Sequence, residues 1–202
     1  MRYAPFCVLS ALVALSLSAE GLAPIPPAVT VVLNFKQTPP SRVVEEMKRA
    51  TEEILAGSGV HLAWRLREEV GSESFPELVL VTFTGNCVVD SHTQRTVIPG
   101  PLASTHVAGD QVQPFADVFC DNVAALTRAA IVSREYGNAE PTMGRALAKV
   151  LAHELMHMIT KSAVHGTSGI AKPALTGRQL VDQQTAMESD DLDRIREESS
   201  GR

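Results

Sequence analysis

Residues 153–165 read His-Glu-Leu-Met-His-Met-Ile-Thr-Lys-Ser-Ala-Val-His. Two histidines four residues apart lie on one face of an α-helix, so His153 and His157 can each aim a ring nitrogen at one point. That arrangement suits Zn²⁺, which takes imidazole nitrogens at about 2.0–2.1 Å. Glu154 sits one step round the helix, where its carboxylate reaches a water on the cation without being a ligand itself. His165 offers a third imidazole eight residues beyond His157. Three neutral imidazoles leave a fourth position open, and a water held there has its pKa lowered from about 15.7 towards 7. Glu154 would act as general base, taking that proton and passing it to a leaving amine, while the cation stabilises the tetrahedral oxyanion. The expected reaction is hydrolysis of a peptide bond, with a peptide or protein substrate extended along an edge strand.

Plainer readings stand beside each of these. Met156 and Met158 are more simply core fillers than ligands. Glu154 as a surface carboxylate would have no catalytic role. If His165 were only a loop histidine, Glu188, Asp190 or Asp191 in the tail would have to supply the third ligand. His61, His92 and His106 are isolated and read as ordinary histidines. Tyr136, the only tyrosine after residue 18, is a candidate oxyanion donor, but nothing in the sequence places it near the motif. The competing functional class is a secreted zinc-binding or interaction protein that keeps the site without turnover. The presence of Glu154 speaks against it, because a binder needs no base.

The motif must sit on a helix to work, and the surrounding pattern supplies one. Over 143–159, apolar Leu147, Val150, Leu151, Leu155 and Met158 recur at helical spacing, predicting an amphipathic helix. Upstream, 29–35 is β-branched and apolar, a buried strand. Pro39-Pro40 breaks it, Ser41 reads as an N-cap, and 42–56 has helical periodicity closed by Gly57 and Gly59. Strands follow at 60–65 and 78–83, so the first three elements form a βαβ unit on a parallel sheet. Residues 85–101 read as a surface loop, 102–107 as an edge strand and 115–119 as a buried strand. A helix capped by Asp121 or Asn122 runs to about 133. Two weaker helical patches, 178–184 and 189–198, make the tail. The fold class is α/β (α+β), a twisted mixed sheet packed against the motif helix and a second helix.

Residues 1–18 carry Arg2, an apolar stretch from Phe6 to Leu17 and small residues at Ser16 and Ser18, the pattern of a secretory signal peptide. That stretch is too short to span a bilayer. Residues 19–202 are then one domain, secreted to the extracellular space or periplasm, with no stable membrane insertion. Cys7 leaves with the signal. Cys87 and Cys120 remain as an even pair, for which a disulfide is the expected state outside the cytoplasm; the alternative is a pair of metal-binding thiolates without a C-x-x-C partner. A net charge of -5 argues against a nucleic-acid partner, which would need a basic surface. Aromatic content of 4% leaves little for base stacking.

These residues resemble the zincin superfamily of zinc metalloproteases. The block His153-Glu154-x-x-His157, His165 and Gly169-Ile170 is similar to small secreted bacterial metalloproteases that carry a Gly-Ile-Met segment just beyond a third histidine. The resemblance implies a zincin-like domain with a sheet beneath the metal-binding helix, one Zn²⁺, ligands His153, His157 and His165, and Glu154 as base. Two positions depart from it. The metzincin pattern has glycine three residues after the second histidine and a ligand at six, where this chain has Thr160 and Ala163. The methionine after Gly-Ile is Ala171 here. The turn from helix to third ligand must therefore be built differently.

Overall fold

The computed structural model describes residues 28–89, 100–131 and 138–201. The expected signal peptide, His92 and Tyr136 lie outside these residues. Five strands form one mixed sheet in the order β2-β1-β3-β5-β4: β1 Ala28–Phe35, β2 His61–Leu66, β3 Leu78–Thr84, β4 Ala103–Ala108 and β5 Gln111–Phe119. β1 pairs in parallel with β2 on one side and β3 on the other. β3 is parallel to β5, and β4 is antiparallel to β5 at the edge. The α/β class and the βαβ start are as the sequence predicts. Val29 to Leu33 are all buried, which accounts for an unbroken β-branched run in a central parallel strand.

Helix α1 (Ser41–Leu55) and helix α3 (Ala139–Thr160) pack against each other. With one face of the sheet they enclose a core of Val31, Leu33, Val81, Phe83, Met47 and Leu151, among others. Gly144 permits the close crossing: a Cβ there would stand 2.8 Å from the Val43 carbonyl of α1. Helix α2 (Cys120–Ala130), helix α4 (Gly177–Val181) and helix α5 (Ser189–Ser200) complete the shell around α3. The motif helix is therefore not a half-exposed amphipathic one. From Thr142 to Thr160 almost every residue is buried, and Gly144, Ala146, Ala148 and Ala152 let neighbours approach on the sides that periodicity alone assigns to solvent.

Two expected caps are built otherwise. Ser41 is already helical, and the Pro40 carbonyl accepts the Val43 N–H at 3.0 Å. α2 begins at Cys120, and the Asp121 and Asn122 side chains tie neighbouring loops instead. Asp121 accepts the Asn86 N–H at 3.1 Å, and Asn122 donates to the Pro101 carbonyl at 2.8 Å. α3 starts four residues earlier than periodicity suggests, with Pro141 in its first turn, where the missing N–H costs no helical bond.

Cys87 and Cys120 form a disulfide with a Cα–Cα distance of 4.7 Å, both buried, and so are not thiolate ligands. The bridge joins the exit of β3 to the first turn of α2 and closes a loop of 33 residues. Loop-closure entropy assigns such a bond about 3–4 kcal/mol. The Cys87→Ala/Cys120→Ala double variant should lose stability of that order in urea unfolding. Among the described residues, no helix is long and apolar enough to cross a membrane.

Candidate metal centre

His153, Glu154 and His157 lie in the C-terminal third of α3, and the helix ends just beyond them. The end is made at Lys161, a left-handed residue with φ 49°, whose N–H and that of Ser162 converge on the His157 carbonyl. Thr160, at the metzincin glycine position, is still helical. The turn falls one residue later, and the chain then reaches His165. The loop 162–171 is fixed at several points. The Gly166 N–H donates to the Ala171 carbonyl and the Ile170 N–H to the Ala186 carbonyl, each at 2.9 Å.

That loop also sets the tautomers of the two helix histidines. His153 Nδ1 lies 2.8 Å from the Ile170 carbonyl oxygen and His157 Nδ1 lies 2.7 Å from the Ser162 carbonyl oxygen. A carbonyl only accepts, so both Nδ1 atoms must donate. In the neutral rings both Nε2 atoms are then left with lone pairs. They face each other at 3.1 Å, with no proton to share unless one ring is charged. Burial works against that charge. It pulls the pKa of His153 and of His157 down, and the carbonyl contacts only partly offset it. Two lone pairs aimed at one point are a donor set that could hold a cation. Tetrahedral coordination at ~2.05 Å would place two nitrogens about 3.3 Å apart. A backbone carbonyl on the far ring nitrogen is also the usual partner of a metal-bound histidine.

The third ring comes from His165. Its centroid lies 5.2 Å from that of His153 and 4.7 Å from that of His157. One ligand atom from each of the three histidines falls within 4.8 Å of the others. His157 is buried, His153 half-buried and His165 exposed, so the cluster opens to solvent on the His165 side. No tail carboxylate belongs to it among the described residues. Glu188 and Asp190 are exposed at the start of α5, and Asp191 is buried against Arg194 at 2.6 Å. His61 is exposed on β2. His106 pairs with Asp117 at 2.7 Å, away from the cluster.

Gly166, next to His165, has no room for a side chain: a Cβ would lie 2.8 Å from both the Ala171 Cβ and Asp191 Oδ2. Asp191 is held by its ion pair, so the loop must give way. Gly166→Ala is expected to displace His165 and weaken metal binding by about tenfold, the scale of lost ligand support; competition with a chelating dye measures it.

Glu154 is 6% exposed, and burial raises its pKa. The Thr105 hydroxyl of edge strand β4 donates to Oε2 at 2.5 Å and pulls the other way. A cleft of about 380 Å³ opens between β4 and the segment 172–175, and His153, Glu154, His157 and His165 line it together with Leu102, Val107, Val112, Val150 and Leu175. Sequence reasoning missed Thr105, which lies 49 residues away in sequence. It also missed Lys149, one turn before His153. The buried Lys149 ammonium donates to the Gln179 carbonyl at 2.6 Å and to the Asp182 carbonyl, both at the end of α4. Burial lowers its pKa to about 8. A buried lysine inside a helix pattern is the one sequence signal that was available for it. No protein-family model matches the chain, and no curated protein matches it.

Proposed function

We propose that the chain is a secreted zinc-dependent peptidase, with His153, His157 and His165 as ligands and Glu154 as general base. The observation that carries this reading is the pair of Nε2 lone pairs 3.1 Å apart on α3, with a buried carboxylate at the intervening position lining the same cleft. When bound, zinc would supply the Lewis acidity that makes water acidic enough to ionise near neutral pH. The protein does the rest. The Ile170 and Ser162 carbonyls hold the imidazoles in the ligating tautomer. Glu154 takes the proton from the attacking water and returns it to the departing amine, and its raised pKa suits both halves of that exchange. The apolar wall of Leu102, Val107 and Leu175 excludes water from an extended chain lying along β4.

The disulfide supports an oxidising compartment. The test is a mixture of unfolded proteins or mixed peptides incubated with the zinc-loaded protein. New amino termini should appear, vanish with a chelator and return with zinc. No cleavage across a broad mixture would contradict the reading.

A further inference from the structure

We propose that Thr105 is a positioning residue for Glu154, a clamp on edge strand β4 that fixes the carboxylate in the cleft. This rests on the peptidase reading above. Its ground is the contact itself: the Thr105 hydroxyl donates to Glu154 Oε2 at 2.5 Å, bringing together residues 49 apart in sequence. An ionised carboxylate offers about four acceptor sites. A donor on Oε2 restricts the carboxylate's orientation and leaves sites for a water. Without it, a buried Glu154 would have its charge to satisfy and several rotamers to choose from.

The strand is built to hold that donor in place. Thr105 pairs with Ala116, and Ala103 with Val118, in the antiparallel β4–β5 ladder. At the strand's entry the Phe119 N–H donates to the Leu102 carbonyl at 2.9 Å, and Asn122 holds the Pro101 carbonyl. Beyond Thr105 the register shifts, so that one β4 residue, His106, stands opposite three on β5, including Pro114. Proline lacks the N–H for a ladder bond and is at home in such a bulge. Alternation on β4 survives the shift. Thr105 and Val107 line the cleft, while His106 between them turns to the other face and pairs with Asp117. A one-residue slip would put an imidazole where the hydroxyl stands, and the bulge, the His106–Asp117 pair and the anchored entry all oppose it.

Thr105→Val keeps the shape and removes the hydroxyl; Thr105→Ser keeps the hydroxyl. In zinc-loaded protein, Thr105→Val should retain the wild-type metal content and KM while kcat falls roughly ten- to hundredfold, the range for a hydrogen bond to a charged group. Thr105→Ser should recover most of it. A cycle of Thr105→Val, Glu154→Ala and the double variant, read by urea unfolding of the metal-free protein, should give non-additive losses. Wild-type kcat in Thr105→Val overturns the proposal, as does a lowered kcat that Thr105→Ser fails to rescue. Wild-type protein without any hydrolysis sinks the peptidase reading instead; additive losses in the cycle then overturn the clamp on its own terms.

Discussion

Glu154→Gln should keep its metal and lower peptide hydrolysis by a factor of about 10²–10⁴, the range a positioned general base contributes. The amide has nearly the shape of the carboxylate and can still accept the Thr105 hydroxyl, so the cleft and the three imidazoles stay as they are. Only the proton acceptor goes. A second effect has the opposite sign. Burial raises the Glu154 pKa, so its contribution to stability is present below the ordinary carboxylate pKa of about 4.5 and is lost as pH rises through the raised value. The metal-free glutamine variant should therefore be the more stable protein at neutral pH in urea unfolding. A variant dead in hydrolysis and firmer in folding separates a catalytic from a structural role. Hydrolysis equal to wild type would remove Glu154 as the base.

His157→Ala should lower zinc affinity by more than about 100-fold, beyond the 10- to 100-fold that loss of an outer hydrogen-bond partner costs. It removes the buried member of the proposed ligand set and also the ring that holds the Ser162 carbonyl. His165→Ala should follow in the same direction, since the third nitrogen comes from that ring. The acid side of the stability curve gives an independent reading. Burial lowers the pKa of His153 and His157, so below about 6.5 the unfolded chain takes up protons that the folded one refuses. In metal-free protein their contribution is whole above that pH and is lost as pH falls through the lowered values. His157→Ala should therefore show a shallower loss of stability as pH falls below about 6.5. An unchanged zinc affinity in His157→Ala would refute the ligand set.

Much of this site was legible in the residues alone, because it is written in side chains at helical spacing. His153, Glu154 and His157 are grouped by periodicity, His165 follows within a few residues, and a lone pair of cysteines implied the bridge that Cys87 and Cys120 make. The first strand, helix and second strand also announce themselves, since buried parallel strands need unbroken apolar runs. The rest has no residue code. The groups that set the histidine tautomers are main-chain carbonyls of Ser162 and Ile170, and any residue carries a carbonyl. Thr105 meets Glu154 only because β4 is the edge beside α3, a consequence of sheet order. Asp121 and Asn122 looked like caps because local rules favour them there, yet partners from distant loops claim their side chains. The amphipathic reading of α3 failed for a related reason: small residues on its remaining faces admit α1 and the other helices.

The central claim is that three imidazoles share one cation, and metal analysis of the purified wild-type protein joined to X-ray absorption at the zinc edge tests it most directly. One zinc per chain with a first shell of about four light ligands near 2.0–2.1 Å and the outer-shell scattering of three imidazoles is the predicted result. Protein that takes up no stoichiometric metal, or a zinc whose nearest neighbours include thiolate sulfur, would contradict it.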